Sequence, residues 1–246
     1  MSLITDIFSK VKSILDTRFE SEGTTAVPDI DNTKLTFGNF GLEFDATLLY
    51  IDMRKSTLLL SKHNRSTVAK IHMCFFHSVV KIASSLGGDV RSFNGDSLLV
   101  FFQGNTKQTL SNAVKAAMHI KFVLMNRESS VNDLLNKYSQ IDFGIGIDYD
   151  TILATKVGIS GLNNRDLIWV GNSVNKAVKL SDICNSPNNI AISSYVYGNL
   201  IDSVKYYLTK DVWGNEIKTD MWNKALFQFN GKLEYYYYTS YYWTLV

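Results

Sequence analysis

Two apolar, strand-like stretches decide the fold of this chain: Leu48-Leu49-Tyr50-Ile51-Asp52-Met53-Arg54 and Phe93-Asn94-Gly95-Asp96-Ser97-Leu98-Leu99-Val100-Phe101-Phe102. Each stretch carries an aspartate, and a carboxylate at the end of a hydrophobic strand is costly to desolvate unless something compensates its charge. Two such carboxylates on neighbouring strands repel each other unless a cation lies between them. Asp52 and Asp96 are therefore the first candidates for a metal site, because Mg²⁺ prefers hard oxygen ligands.

The segments around these stretches alternate between strand and helix patterns. Asn94-Gly95 between apolar runs predicts a β-hairpin, and Gly87-Gly88 ends the helix before it. Strands are expected at 45–53, 89–93, 97–102, 140–149, 151–158 and 167–170, and helices at 64–86, 106–126 and 172–184. This β–α–β–β–α–β order, with an appended helix and strands, predicts an α+β fold with a ferredoxin-like core and helices on one face of a mainly antiparallel sheet.

The two ends of the chain lie outside this core. Residues 2–20 have apolar side chains at helical spacing, which predicts an amphipathic helix packed on the core or on a partner subunit in preference to a membrane surface. Residues 21–35 are polar with Gly and Pro, as in a linker. The tyrosine-rich end predicts a strand hairpin with its aromatic faces buried. The expected divisions are 1–35, a central domain at 36–200 and a strand extension packed on the core at 201–246.

Composition places the chain among ordinary globular proteins. Its 246 residues are 46% hydrophobic and 20% charged with a net charge of +2, so nothing favours nucleic acid as the main partner. No apolar run reaches the ~18 residues of a membrane span, and no signal peptide is evident. Cys74 and Cys184 have neither metal nor disulfide spacing, which favours a reducing, cytoplasmic location.

Four motifs resemble those of the class III nucleotidyl cyclases, the family of adenylate and guanylate cyclase catalytic domains. They fall in the family's order over roughly residues 44–195, and four motifs in register are far more specific than one. The motifs are Tyr50-Ile51-Asp52-Met53 with Ser56-Thr57, Asn94-Gly95-Asp96, a strand pair carrying Gly146-Ile147, Ile152-Leu153-Ala154 and Gly158, and Val170-Gly171-Asn172-Ser173-Val174-Asn175-Lys176-Ala177-Val178-Lys179-Leu180.

This resemblance implies a two-metal cyclase. Asp52 and Asp96, with the carbonyl of Met53, would bind two Mg²⁺ or Mn²⁺ ions per active site, one activating the ribose 3′-hydroxyl and one neutralising the triphosphate. Asn175 would orient the ribose, and Lys179 would stabilise charge in the transition state. The two are spaced i, i+4, so they share one face of a helix. In the family this helix faces the partner's metal site, which implies a homodimer with active sites at the subunit interface.

The turn after the first aspartate is expected to bind phosphate. Its backbone N–H groups open a helical turn and can cradle phosphate oxygens. These groups belong to Arg54, Lys55, Ser56 and Thr57.

The chain departs from the family at three positions. Lys179 stands where the family usually has Arg, and lysine supplies charge without the bidentate fork. The family's Gly in the first motif aligns with Lys55, and its phosphate-binding Arg aligns with Gly144. Lys55, Lys156 and Arg165 are candidates to make the phosphate contacts instead.

The positions that read the base also differ. Adenylate cyclases use Lys and Asp, and guanylate cyclases use Glu and Cys, where this chain has Ser92 and Ile168. A purine would lose its hydrogen-bond partners there, and such a loss is costly. Tyr50 would narrow the pocket and present a ring to a smaller base. Ser92, Asn94 and Arg91 are candidates to reach the edge of the base, and Ser92 is preferred, although its hydroxyl donates or accepts and therefore does not separate UTP from CTP.

This pattern looks like the pyrimidine cyclases of the bacterial anti-phage system Pycsar. That likeness implies UTP or CTP as the substrate, with a slight preference for UTP, and cyclic UMP or cyclic CMP as the product. It also implies a role in defence, with a separate effector protein that binds the cyclic nucleotide.

Two alternatives stay open. A divergent adenylate cyclase would read adenine with other residues, and an inactive cyclase-like domain would serve as a nucleotide sensor or dimerisation module. Taken alone, Asp52 is a reasonable helix N-cap, Asp96 a reasonable turn residue and Tyr50 a reasonable core residue. The intact pair of aspartates nevertheless argues against an inactive domain.

Overall fold

The computed structural model describes residues 2–126, 129–159 and 164–245. The chain divides into two compact units. The larger unit comprises Ala46–Asp150 and Asn172–Val246, and the smaller comprises Met1–Asp45 and Thr151–Gly171.

The larger unit is built on a twisted, mainly antiparallel sheet. Its strands are β2 (Phe40–Met53), β3 (Gly88–Asn94), β4 (Ser97–Gln103), β5 (Phe143–Gly158), β7 (Ile190–Ser193), β10 (Asn223–Phe229) and β11 (Lys232–Thr239). They lie in the order β10-β11-β7-β5-β2-β4-β3. Strands β3 and β4, β4 and β2, β7 and β11, and β10 and β11 pair antiparallel, whereas β5 and β7 are parallel. A separate hairpin joins β8 (Tyr206–Lys210) to β9 (Glu216–Asp220).

Helices of the larger unit begin where the sequence supplies capping groups. Asn64 and Thr106 accept hydrogen bonds from the backbone N–H groups of Thr67 and Thr109, and so cap the two longest helices. The helices are a 3₁₀ turn (Ser56–Leu58), α2 (Leu59–Lys62), α3 (Arg65–Ser85), α4 (Lys107–Met125), α5 (Val131–Leu134), α6 (Asn172–Asp182), α7 (Ser194–Gly198) and α8 (Asp202–Lys205). The predicted β–α–β–β–α–β order is confirmed.

Helices cover both faces of the sheet. Ile51, Ile145 and Ile147 share one apolar core with residues of α3 and α4. Gly144 and Gly146 point the other way, because side chains alternate along a strand. A Cβ at Gly144 or Gly146 would lie only 2.4 Å and 1.9 Å from backbone oxygens of α6, so α6 packs closely on that opposite face. The prediction that helices lie on one face is right for α3 and α4 and wrong for α6.

The smaller unit has a small core of its own. It contains α1 (Leu3–Asp16), β1 (Glu20–Gly23) and β6 (Arg165–Val170), together with the first residues of β2 and the last residues of β5. Strand β1 pairs parallel with β2, and β6 pairs antiparallel with β5. Leu35, Leu42 and Leu167 are buried together, and the rings of Phe44 and Trp169 meet edge to face at 6.0 Å.

Two element boundaries differ from the sequence prediction. The helix predicted at 2–20 ends at Asp16, and β1 occupies the start of the predicted linker. The side-chain amide of Asn39 donates to the carbonyls of Ile14 and Thr17 at 2.6 Å, which satisfies the end of the helix. The strands predicted at 140–149 and 151–158 form one continuous strand, β5, because no Gly or Pro interrupts the chain between them.

The apolar stripe of α1 is uncovered. None of its residues is buried, and Phe8 and Leu15 are 65% and 78% exposed. The prediction that this helix packs on the core is therefore wrong, while its alternative, a partner subunit, stays a prediction.

The tyrosine-rich end forms the predicted hairpin. Strands β10 and β11 meet at Asn230-Gly231, where both residues have positive φ, and β11 pairs with β7. Its rings are only partly covered, and Tyr235 is 50% exposed. Phe227 and Phe229 are buried, and Tyr236 and Tyr238 pack against them, so the prediction of buried aromatic faces is right for this side of the hairpin and wrong for Tyr235. Within the described residues, no helix has the length and apolar character needed to cross a membrane.

Candidate active site

The two aspartates lie at neighbouring strand ends in the larger unit. Asp52 pairs with Ser97 on β4, and Ser97 pairs with Asn94 on β3. Asp96 occupies the tight turn between β3 and β4, which Gly95 allows with φ +64°. Asp52 points to the sheet face opposite α3 and α4, because Ile51 and Met53 belong to the core on the other side.

A second row of residues on the same face contains the predicted base-reading positions. Tyr50 pairs with Leu99, and Leu99 pairs with Ser92. The register shifts between Val90 and Ser92, so an extra residue is accommodated there. On the turn side of this bulge the pairing runs without interruption from Asn94 and Ser97 to Ser92 and Leu99, so Ser92 lies on the same face as Asn94, two residues further on. The hairpin register therefore places Ser92 on the face that carries Tyr50.

Burial and charge act together on this face. Desolvation, followed by repulsion from Asp96, raises the pKa of Asp52 to about 6, and the guanidinium of Arg54 opposes the shift. Burial likewise raises the pKa of Tyr50, whose hydroxyl is hydrogen-bonded to the side chain of Ser97. The two carboxylates are thus close enough to disfavour each other's charge, as expected where a cation would lie.

The turn after Asp52 holds the second aspartate in place. The hydroxyl of Ser56 donates to the carboxylate of Asp96, and the backbone N–H of Met53 donates to the carbonyl of Asp96 at 3.2 Å. Lys55 adopts a left-handed conformation with φ +57°. Glycine favours that conformation, which explains the Gly that the class III cyclases have at this position.

The predicted phosphate cradle is only partly available. The backbone N–H of Arg54 donates to the carbonyl of Asp142 at 2.8 Å, so the prediction that this group binds phosphate is wrong. Ser56 and Thr57 lie in the first turn of the 3₁₀ segment. Their N–H groups are of the type that a helix start leaves for other acceptors.

The donor set suits a hard divalent cation. Two carboxylates, a backbone carbonyl and a serine hydroxyl supply oxygen ligands, which Mg²⁺ and Mn²⁺ prefer. Across residues 2–126, 129–159 and 164–245, no group of three or more His, Cys, Asp or Glu side chains is arranged to hold an ion. The remaining ligands would therefore be backbone, substrate or water oxygens.

The side chain of Arg54 connects this edge to helix α6. It contacts Asp52 Oδ2 through Nη1 at 2.9 Å and the carbonyl of Cys184 through Nε at 3.0 Å. A third hydrogen bond runs from Nη2 to the carbonyl of Ser181. The sequence indicated no such role for this side chain.

The outer face of α6 presents the two predicted catalytic residues. Asn175 and Lys179 are both exposed. With Gln228 and Asn230 of the β10–β11 hairpin they line an open cavity of about 330 Å³. Among the described residues, neither Asp52 nor Asp96 lines it. One chain therefore does not unite the two halves of the predicted site.

Gln228 and Asn230 are site candidates that the sequence reasoning missed. Asn230-Gly231 between apolar strands is a hairpin signal that was available from the sequence. Only the tertiary structure shows that this hairpin lies beside Asn175 and Lys179.

Ile168 lies on β6 in the smaller unit, where it pairs with Thr155 and is 45% exposed. Lys156, a candidate for phosphate contacts, lies with its ammonium 6.0 Å from the ring of Phe37. Arg165 pairs with Asp31 at 3.0 Å. None of these contacts tests the roles predicted for the three residues.

Known structures show what this fold is. The guanylyl cyclase Cya2 superposes with a TM-score of 0.66 at 19% identity over 82% of this chain and 94% of that chain. The adenylyl cyclase CyaB from P. aeruginosa gives 0.61 at 18% identity over 81% and 95%. The predicted fold class is confirmed: this is the fold of the class III nucleotidyl cyclase catalytic domains.

Sequence relatives define the family more narrowly. The chain matches no protein-family profile. Uridylate cyclase of Rhodovulum sp. (strain MB263) is 30% identical over 220 residues, 87% of this chain and 89% of the relative. Uridylate cyclase of Burkholderia cepacia is 29% identical over 225 residues, 90% and 94% of the two chains. The chain belongs to the uridylate cyclase family, and the predicted likeness to pyrimidine cyclases is confirmed.

Proposed function

We propose that this protein converts UTP to 3′,5′-cyclic UMP and pyrophosphate. The observation that carries the proposal is the pair of carboxylates, Asp52 and Asp96, at neighbouring strand ends of this chain. The chain is also similar to proteins named uridylate cyclase. Burial, followed by repulsion from Asp96, raises the pKa of Asp52, and a carboxylate perturbed in this way supports a functional site that a cation would neutralise. CTP is the second candidate substrate, because Ser92 does not by itself distinguish the two bases.

Asp52 and Asp96, with the carbonyl of Met53, would hold two Mg²⁺ or Mn²⁺ ions. Bound there, such ions activate the ribose 3′-hydroxyl and neutralise the triphosphate. The protein's own groups prepare the site: Ser56 orients the carboxylate of Asp96, and Arg54 orients that of Asp52. In the reaction the ribose 3′-oxygen attacks the α-phosphorus in line, and pyrophosphate leaves.

Asn175 and Lys179 act across a homodimer. Their exposed position on α6, in a cavity without the aspartates, supports a site completed by the partner subunit. Asn175 hydrogen-bonds the ribose, and the ammonium of Lys179 stabilises negative charge on the phosphate in the transition state. The exposed apolar stripe of α1 supports the same assembly. Asp6 and Asp16 balance Lys10 and Lys12 in this helix, and a balanced charge does not favour an anionic membrane surface.

The base lies beside Tyr50 and Ser92. Both residues occupy one row across β2, β4 and β3, next to the row of Asp52. The half-buried ring of Tyr50 limits the depth of the pocket, and the side chain of Ser92 hydrogen-bonds the uracil edge. Ile168, at the second position where purine cyclases carry a polar base-reading side chain, stays a predicted base-specifying residue.

The likeness to the pyrimidine cyclases of the anti-phage system Pycsar supports a wider biological role. A cyclic pyrimidine nucleotide is a signal, and a separate effector protein would bind it during phage defence in the cytoplasm. In this proposal the catalytic domain spans 36–200, with the segments 1–35 and 201–246 as its extensions.

The proposal is tested by incubating purified protein with ATP, GTP, CTP or UTP in Mn²⁺ and resolving the products chromatographically against cyclic-nucleotide standards. Cyclic UMP as the dominant product is the expected result. Cyclic AMP would show that other residues read adenine, as in a divergent adenylate cyclase. The absence of any product, with nucleotide still bound, would favour the inactive sensor domain.

A further inference from the structure

Arg54 makes contacts that span most of the larger unit's sequence. Its guanidinium contacts the carboxylate of Asp52, two residues earlier in the chain. It also donates to the backbone carbonyls of Ser181 and Cys184, which lie 127 and 130 residues further along the chain. The side chain is 17% exposed, so these contacts are largely shielded from water. Hydrogen bonds to charged groups are stronger than neutral ones, and more so where water is excluded.

The carbonyl of Ser181 lies in the last turn of α6 and also accepts from the backbone N–H of Cys184, whereas the carbonyl of Cys184 lies two residues beyond the last helical residue, Asp182. The last carbonyls of a helix have no partner within the helix, and a cation placed there also interacts favourably with the helix dipole. Arg54 therefore acts as the C-terminal cap of α6 and holds Asp52 with the same planar group. Lysine could not do this, because an ammonium does not present several donors in one plane.

The opposite strand is shaped to accommodate this guanidinium. A Cβ at Gly144 would lie 2.0 Å from Nη2 and 2.8 Å from Cζ of Arg54. Any larger side chain at 144 would displace the guanidinium, so a glycine on β5 and an arginine after β2 form a matched pair.

We propose that Arg54 is a positioning residue that fixes Asp52 and α6 relative to each other. The inference rests on the proposed function, in which Asp52 serves one active site of the dimer and α6, with Asn175 and Lys179, serves the other. One guanidinium thus holds both a metal ligand of one active site and the helix that supplies Asn175 and Lys179 to the other active site.

The first test uses protein without nucleotide. In Arg54→Ala we expect Mn²⁺ affinity, measured by electron paramagnetic resonance, to fall about ten- to hundredfold, as for other groups that orient a metal ligand. Amide hydrogen exchange of metal-free protein should be faster at the end of α6, around Ser181 and Cys184. Arg65→Ala, an exposed arginine at the start of α3, is the matched control and should change neither measurement.

Two additions keep the first test decisive. Guanidinium ion at millimolar concentration should restore Mn²⁺ affinity to Arg54→Ala but leave Arg65→Ala unchanged. Arg54→Lys retains the charge in case the alanine variant fails to fold, and it should show the same faster exchange in α6. Unchanged Mn²⁺ affinity together with unchanged exchange in a folded variant would overturn the proposal.

The second test asks whether one Arg54 serves both sites. Differently tagged subunits allow purification of hybrid dimers with one wild-type and one Arg54→Ala chain. If Arg54 acted only through Asp52, one site would stay intact and the hybrid would keep half of the wild-type activity. We expect well below half, because the altered chain also supplies α6 to the other site. If wild-type protein turns over no nucleotide, the proposed function fails, while Mn²⁺ affinity and hydrogen exchange still decide the role of Arg54.

Discussion

Two regions of the larger unit differ in how their side chains are held. One is the sheet edge that carries Asp52 and Asp96, called the metal edge below, and the other is the outer face of α6. At the metal edge, Ser56 fixes Asp96, and Arg54 fixes Asp52, all within one chain. On α6, Asn175 and Lys179 are exposed and line an open cavity. Metal ligands must be preorganised, since misplaced carboxylates bind a cation poorly. In the proposed dimer the α6 residues need order only when a second chain covers them, so the contrast supports the proposed site shared between two subunits.

The strongest test of the contrast removes a metal carboxylate. Asp96→Ala should lower cyclic UMP formation about a thousandfold or more, because it removes several kcal/mol of transition-state charge stabilisation. Product chromatography at saturating UTP and Mn²⁺ measures the loss. Asp202→Ala, which removes an exposed aspartate paired with Lys218, should retain activity. An Asp96→Ala protein with more than a tenth of wild-type turnover would rule out the carboxylate pair as the metal site.

The second test asks whether the two regions work across subunits. Asn175→Ala should be nearly inactive alone, as should Asp96→Ala, because each lacks one half of every site. After subunit exchange between the two proteins, roughly a quarter of wild-type activity should return, since half of the dimers are hybrids with one intact site each. Subunit exchange is confirmed independently with differently tagged chains. Exchange without recovery would mean that both halves act within one chain.

A smaller effect is expected when the α6 cation is altered. Lys179→Arg should raise kcat about three- to tenfold, because a guanidinium can contact two phosphate oxygens at once. KM for UTP should change less than kcat, since the gain is in the transition state. Lys107→Arg, an exposed position at the start of α4, is the control. A fall in kcat would instead show that the pocket is shaped around an ammonium.

The smallest expected effect is on the free energy of unfolding, because holding the carboxylates of Asp52 and Asp96 close together without a cation is destabilising. The pKa of Asp52 is raised in the folded protein from 3.8 to about 6. The folded state therefore binds this proton more tightly, and the stability it contributes at low pH is lost as pH rises from about 4 through 6. In the presence of chelator at pH 7.5, Asp52→Asn should raise the free energy of unfolding by about 1–2 kcal/mol, allowing for solvent screening of this partly exposed group.

Denaturant titrations from pH 4 to pH 8 measure this effect. The gain of Asp52→Asn over wild type should shrink towards pH 4, where Asp52 is protonated. Saturating Mn²⁺ should reverse the order of stability, because a bound cation stabilises only the wild-type carboxylate pair. A variant less stable than wild type at pH 7.5 without metal would contradict the repulsion between Asp52 and Asp96.

Local patterns predicted much of the fold. The hairpin at Asn94-Gly95, the capped helices α3 and α4 and the position of Asp52 at a strand end all follow from side-chain spacing and turn chemistry. The predictions failed where packing decides. Helix α6 covers the sheet face opposite α3 and α4 because its backbone comes close to Gly144 and Gly146. No periodicity within α6 specifies which sheet face it covers.

The sequence by itself determined the element order, the two aspartates, the i, i+4 pair on α6 and the departure from purine-reading residues. These features depend on neighbours close along the chain, and their chemistry is local. Only the tertiary structure decided that Asn175 and Lys179 lie beside Gln228 and Asn230 of the β10–β11 hairpin. It also decided that Arg54 joins Asp52 to the end of α6. Such contacts join residues that are distant in sequence and meet only when the sheet and α6 have packed together.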